Sequence, residues 1–171
     1  MLTFTRKLAA IAVSLSLALP LAAQADPAKG PETVTQTRYG GADSLHCLTE
    51  ALYFEARGES LEGQVAVAEV ILNRVDSPLY PRTVCGVVKQ RGGGGCQFSY
   101  VCRGTTKMRE KQAADLAGRI ARAMLDGAPR VLTDGATHFH TRGVRPSWSK
   151  RFARTASIGA HLFYRQPGAK G

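Results

Sequence analysis

Between Leu61 and Val75 the sequence permits one kind of element in one kind of place. Val65, Ala66, Val67, Ala68, Val70, Ile71 and Leu72 spread over nearly the whole circumference of a helix at about 100° per residue. A helix apolar all round is stable only inside a shell of other elements, so the rest of the chain must be built around it. Glu59 or Ser60 is placed to cap its start, and Asp76-Ser77-Pro78 to end it.

A second helix is expected just upstream. Asp43 or Ser44 is available as a cap, and Leu45, Leu48, Leu52 and Glu55 follow at steps that place them on one face, with Gly58 as the stop. A third is expected over Thr106 to Asp126, with an apolar stripe of Ala113, Leu116, Ala117, Ile120 and Met124 and with Gly127 at its end. Its opposite face carries Lys107, Arg109, Lys111, Arg119 and Arg122, read as a solvated face.

The remaining segments look extended. Val84 to Lys89 and Cys96 to Val101 are β-prone and are joined by Gln90-Arg91 and four glycines, which suggests a hairpin. The glycine run lacks the Lys-Ser/Thr pair and the following helix that a phosphate-binding loop requires. Ala136 to Thr141 is expected as one strand, Val144 to Lys150 as a loop, and Ile158 to Tyr164 as the last strand. The sum is an α+β fold: a mainly helical body with a small antiparallel sheet.

At the N-terminus, Arg6-Lys7, an apolar run from Leu8 to Leu21 and Ala23-Gln24-Ala25 have the order of a secretory signal, residues 1–25. The run is about 14 residues, against the roughly 20 that span a bilayer. Residues 26–42 are polar, with Pro27 and Pro31, and are read as a flexible leader; 43–171 is the folded domain. Losing Arg6 and Lys7 takes the net charge from +10 to +8. A cationic exported protein suits an anionic partner. Cys47, Cys85, Cys96 and Cys102 are even in number and suit two disulfides in an oxidising compartment, with the pairing open. No C-x2-C pair favours zinc.

Glu55 is the outlier, a carboxylate on an apolar stripe. It must be paired, neutralised or placed at a cleft. Partial burial and a helix C-terminus both raise a carboxyl pKa, as a general acid requires. The bland alternative is an ion pair with Arg57 or Arg74. Glu59 is read first as a cap and second as a further carboxylate; Glu62 is a first-turn acid. His138 and His140 share one face of a strand and line a cleft or, less readily, bind metal. Trp148, alone of its kind, stacks on a sugar ring or plugs the sheet.

Leu52-Tyr53-Phe54-Glu55-Ala56-Arg57-Gly58-Glu59, Glu62-Gly63-Gln64-Val65-Ala66-Val67-Ala68 and Ile71-Leu72-Asn73-Arg74-Val75 resemble the SleB-type cell wall hydrolases. Thr83-Val84-Cys85-Gly86-Val87-Val88, Cys96-Gln97-Phe98-Ser99, Ala136-Thr137-His138-Phe139-His140, Val144-Arg145-Pro146-Ser147-Trp148 and Ile158-Gly159-Ala160-His161-Leu162-Phe163-Tyr164 follow the same pattern. The resemblance implies a lysozyme-like α+β fold related to lytic transglycosylases, with one essential glutamate that maps onto Glu55. It also implies peptidoglycan as the partner and no cofactor or metal. Substrate contacts are then expected from Glu59, Gln97, Phe98, His138, His140, Trp148 and Tyr164.

The expected reaction is cleavage between N-acetylmuramic acid and N-acetylglucosamine, giving 1,6-anhydromuramic ends. The alternatives are a hydrolytic muramidase using Glu59, an N-acetylmuramoyl-L-alanine amidase, and a non-catalytic peptidoglycan-binding module. The chain is expected in the periplasm or secreted, as a monomer, and with no nucleic-acid partner, for it has no basic/aromatic binding motif.

Overall fold

The computed structural model describes residues 39–92 and 95–169. The signal at 1–25 and most of the leader fall outside the described residues. Helix α1 spans Ala42–Ala56 and α2 spans Leu61–Asp76. A short helix α3 follows at Val84–Val88, then a two-residue ladder of β1 (Arg91–Gly92) and β2 (Gly95–Cys96), and one helical turn, α4, at Ser99–Cys102. Helix α5 is Lys111–Leu125. Strands β3 (His138–Thr141), β4 (Ala153–Ile158) and β5 (His161–Arg165) form an antiparallel sheet in the order β3-β5-β4.

Helix α2 is the buried centre that its composition demands. Ala66, Val67, Ala68, Val70 and Ile71 are fully buried, and α1, α3 and α5 pack around it. Ser60 is its cap, accepting from the Gly63 amide at 3.2 Å. Each fully buried Val, Ile or Leu contributes about 1.5–3 kcal/mol as an upper estimate. Helix α1 starts at Gly41 without a side-chain cap; Ser44 instead donates to the Gly40 carbonyl at 3.1 Å, and Asp43 is exposed. Leu48 and Leu52 face the core as their spacing requires, with Leu45 at its margin.

Four expectations are corrected. Val84 to Lys89 is helical, not extended. Val84, Val87 and Val88 are the buried positions, a helical period, and Thr83 caps the turn by accepting from Gly86 at 3.0 Å. A strand over Cys96 to Val101 is excluded by the Cys96–Cys102 disulfide, whose Cα atoms are 5.6 Å apart. Six extended residues would span roughly 20 Å. Only Arg91–Gly92 and Gly95–Cys96 pair as a hairpin. Helix α5 begins later than expected because the Tyr53 hydroxyl accepts from the Arg109 and Glu110 amides, both at 3.0 Å, holding that lead-in extended. Finally, Ile158 to Tyr164 is not one strand but the end of β4, a turn at Gly159-Ala160 and most of β5. The other disulfide joins Cys47 on α1 to Cys85 on α3, and no described cysteine is free.

The sheet is fixed to α2 by polar groups buried in that otherwise apolar helix. Glu69 accepts from the Thr133 amide at 2.9 Å and its hydroxyl at 2.7 Å. Asn73 donates to the Ala136 carbonyl at 2.9 Å, and Arg74 donates to the Thr137 carbonyl. The carbonyls of Ala136 and Thr137 are thereby taken by α2, the Thr137 amide donates to the Tyr164 carbonyl of β5 at 2.9 Å, and the strand runs from His138.

Candidate active site

Glu55 occupies the last turn of α1, next to the Arg57 cap. It is half-buried, and among the described residues it has no hydrogen-bond or ion-pair partner. Arg57, the nearest cation in sequence, is bound to Glu110 at 2.9 Å instead. Burial pushes the Glu55 carboxyl above the ordinary glutamate range; the charges of Arg103 and Arg74 oppose that rise without cancelling it.

Arg74 is the second element of the site. It is 1% exposed and lies under the Tyr80 and Phe98 rings, 5.5 and 5.6 Å from their centroids. With its amide oxygen turned inward, Gln97 accepts from both terminal nitrogens of Arg74 at 3.3 Å. Burial lowers the Arg74 pKa to about 10, so the guanidinium stays charged at neutral pH. Tyr100 stacks on Phe54, the residue before Glu55, at 4.6 Å with its hydroxyl buried and unpartnered.

The third element is an aromatic wall. Trp148, on a 3-10 turn at Ser147–Lys150, lies 4.8 Å from His138, 5.5 Å from His140 and 5.4 Å from Tyr164. The shared face expected of the two histidines is therefore the face that Trp148 covers. A carbonyl can only accept, so His140 Nδ1 carries the hydrogen that meets the Thr141 oxygen at 2.8 Å. Its Nε2 then accepts from the Tyr164 hydroxyl at 3.1 Å. Burial, and then the charge of Arg74, drives the His138 pKa down to about 4, so that ring is neutral.

Arg74 links the two sides, since its charge acts on both Glu55 and His138. Of the expected contacts, Gln97, His138 and Trp148 retain exposed surface. Phe98, His140 and Tyr164 are 2%, 8% and 7% exposed and support the wall from beneath. Glu59 stands apart, engaged with the β4–β5 turn: its Oε2 accepts from the Ala160 amide at 3.0 Å. Arg74 entered the sequence reading only as an ion-pair partner for Glu55. The signal for more was there, a charge on a helix apolar all round. Among the described residues no three His, Cys, Asp or Glu side chains are grouped to hold a metal ion, and no helix is long and apolar enough to cross a membrane.

A helical body around one buried helix, with an unpaired half-buried glutamate and an aromatic sheet wall, defines a lysozyme-like α+β protein. A family model for cell wall hydrolases matches residues 58–164, and the chain belongs to that family. The match begins just after Glu55. The chain is 48% identical over 138 residues to a spore cortex-lytic enzyme of Bacillus subtilis (strain 168), covering 80% of this chain and 43% of that protein. A spore cortex-lytic enzyme of Halalkalibacterium halodurans is 35% identical over 137 residues, 77% of this chain and 38% of its own length. The chain thus spans less than half the length of these curated relatives.

Two solved structures share the fold. The catalytic domain of the Bacillus cereus SleB protein superposes with a TM-score of 0.58 at 30% identity, covering 71% of this chain and 88% of that one. The catalytic domain of a germination-specific lytic transglycosylase, SleB from Bacillus anthracis, gives 0.60 at 29% identity, covering 73% and 96%.

Proposed function

We propose that this chain is an exported lytic transglycosylase that cleaves peptidoglycan between N-acetylmuramic acid and N-acetylglucosamine, with Glu55 as its acid and base. The observation that carries the reading is a half-buried carboxyl with no internal partner and a raised pKa. A carboxyl in that state holds its proton to higher pH than an ordinary glutamate does, the direction a general acid needs. The solved Bacillus anthracis relative bears the name of a lytic transglycosylase, which supports the reaction class. Both disulfides suit an oxidising compartment, periplasmic or extracellular.

Glu55 donates its proton to the glycosidic oxygen, and the bond to the muramic anomeric carbon breaks. Positive charge builds there, and the substrate's own N-acetyl oxygen stabilises it. A two-carboxylate glycosidase would set a second acid at that carbon. Glu59, the second acid of the same junction, is turned to the β4–β5 turn instead. Glu55, now a base, takes the proton of the muramic 6-hydroxyl, whose oxygen closes onto the anomeric carbon. Atoms balance without water. Gln97, His138 and Trp148 form the sugar wall, with Phe98, His140 and Tyr164 behind it.

Mass spectrometry of digested sacculi tests this. Anhydromuramic ends are expected; hydrated reducing ends would make the chain a muramidase, and free peptides an amidase. Binding to sacculi without clearing them would make it a wall-binding module.

A further inference from the structure

The acid that sequence reading made a cap or a second carboxylate has neither surrounding. Glu59 Oε2 accepts from the Ala160 amide at 3.0 Å, and Oε1 stands 3.6 Å from Nδ1 of His161. His161 is itself 4% exposed, between Phe139 at 5.1 Å and Phe163 at 6.2 Å. The Glu59 side chain keeps only 14% of its surface. The cap of α2 is Ser60, so the carboxylate is not needed there.

Two glycines make room for this arrangement. A Cβ on Gly159 would stand 1.9 Å from Glu59 Oε2, and one on Gly63 would stand 2.9 Å from Glu59 Cβ. Gly159 also turns the chain with φ of +55°, which L side chains rarely adopt. The main chain at Glu59 is held as well: its amide donates to the Ala56 carbonyl at 2.9 Å, and Gln64, 2% exposed, donates to its carbonyl at 3.2 Å. One end of this latch is therefore the turn that directly follows Glu55. The other is the turn that starts β5, the strand that carries Tyr164 beneath Trp148.

We infer that Glu59 is a positioning residue: it latches the turn behind Glu55 to the β4–β5 turn, and so sets the distance between the acid and the sugar wall. This rests on the reading of Glu55 as the acid. The acid and the wall come from segments far apart in the sequence, and neither disulfide joins them. Misplacing an acid by about 1 Å costs on the order of 100-fold in rate. The latch works through an accepted hydrogen bond and through shape, so a neutral acceptor of the same length preserves it.

The test measures clearing of purified sacculi by the full chain, with rate against sacculus concentration, in Glu59→Gln, Glu59→Ala and Gly159→Ala. Gly168→Ala is the control: Gly168 has φ of +80°, but only Leu79 is near, at 4.0 Å, so it carries backbone strain without touching Glu59. Glu59→Ala and Gly159→Ala are expected to lose on the order of 100-fold in maximal rate, with the half-saturating concentration little changed. Glu59→Gln is expected to stay within about tenfold of the parent, its amide oxygen still accepting from Ala160.

Loss in Glu59→Gln equal to that in Glu59→Ala, with Gly159→Ala active, would make Glu59 a second catalytic carboxylate and overturn the inference. Parental rates in folded Glu59→Ala and Gly159→Ala would overturn it too. If Glu59→Ala does not fold, Gly159→Ala against Gly168→Ala decides. Failure of the underlying reading looks different, because Glu55→Gln would then clear sacculi like the parent.

Discussion

The end of α1 and the middle of α2 each bury a glutamate, and the two are treated in opposite ways. Glu69, 1% exposed, is surrounded by donors: the Leu132 amide at 3.0 Å, the Thr133 amide at 2.9 Å and the Thr133 hydroxyl at 2.7 Å. Glu55 has none among the described residues, and its pKa rises. Burial by itself therefore does not mark a working acid. A buried carboxylate that the protein satisfies is part of the scaffold, and one that it leaves unsatisfied is held for something that comes from outside.

The sharpest way to break that contrast is to remove each acid in turn. Glu55→Gln should lose about 100- to 10,000-fold in sacculus clearing, the usual scale for a general acid. Its melting temperature should hold or rise, since a poorly solvated charge is gone. The pH dependence has a defined sign. The Glu55 pKa is raised above its ordinary value of 4.5, so its contribution to stability is whole below that pH and is lost as pH rises through the folded-state value. The melting temperature of the parent should therefore fall behind that of Glu55→Gln as the solution is taken upward from acid.

Glu69→Ala should do the reverse. Stranding the donors on Leu132 and Thr133 should cost about 3 kcal/mol or more in denaturant unfolding. Activity per folded molecule should be retained well below the new midpoint. Lost clearing in Glu69→Ala with an unmoved midpoint would erase the distinction between the two acids.

The same contrast explains what sequence reading reaches. The helix that is apolar all round was legible, because hydrophobic periodicity acts over one element and needs no knowledge of its neighbours. So was the half-buried placement of Glu55, an acid on an apolar face. Val84 to Lys89 reads as extended because β-branched residues speak for strand, whereas the burial of Val84, Val87 and Val88 and the Thr83 cap decide for a helix over Val84–Val88. The break falls at Gly159, whose φ of +55° turns the chain, and the Glu59 carboxylate that meets this turn at the Ala160 amide lies a hundred residues away in the chain. Arg74 was seen only in part, since its partners Thr137 and Gln97 are brought to it by the fold.

The two disulfides extend the comparison from acids to cross-links. Cys47–Cys85 spans a sequence separation of 38 and ties α1 to α3; Cys96–Cys102 spans 6 and closes the turn that carries Gln97 and Phe98. Loop-closure entropy gives about 4 kcal/mol for the first and about 2 for the second. Serine pairs should reproduce that order in denaturant midpoints. In clearing rate the order should invert, because only the shorter loop holds Gln97 and Phe98 against Arg74. Equal effects on rate would show that the Gln97–Phe98 turn stands without its staple.

The smallest effect is also the most specific to an acid that works unpaired. Arg103 is exposed, donates to the Ser99 hydroxyl at 2.6 Å, and is the larger of the two charges that hold the Glu55 pKa down. In the proposed mechanism Glu55 must be protonated at the first step, so the alkaline limb of the rate profile would report its titration. Arg103→Gln removes a cation that favours the carboxylate, and the limb should move to higher pH. Added salt, which screens an exposed charge, should move the limb of the parent the same way and leave that of Arg103→Gln nearly still. Arg74 does not offer so clean a probe, because it also holds the Thr137 carbonyl and Gln97. On the acid side, His138 takes up a proton near pH 4, and neither Arg103→Gln nor salt should shift that limb much, since burial and Arg74 set it. Two limbs moving together would mean that Arg103 acts on the whole site; the alkaline limb moving alone would tie it to Glu55.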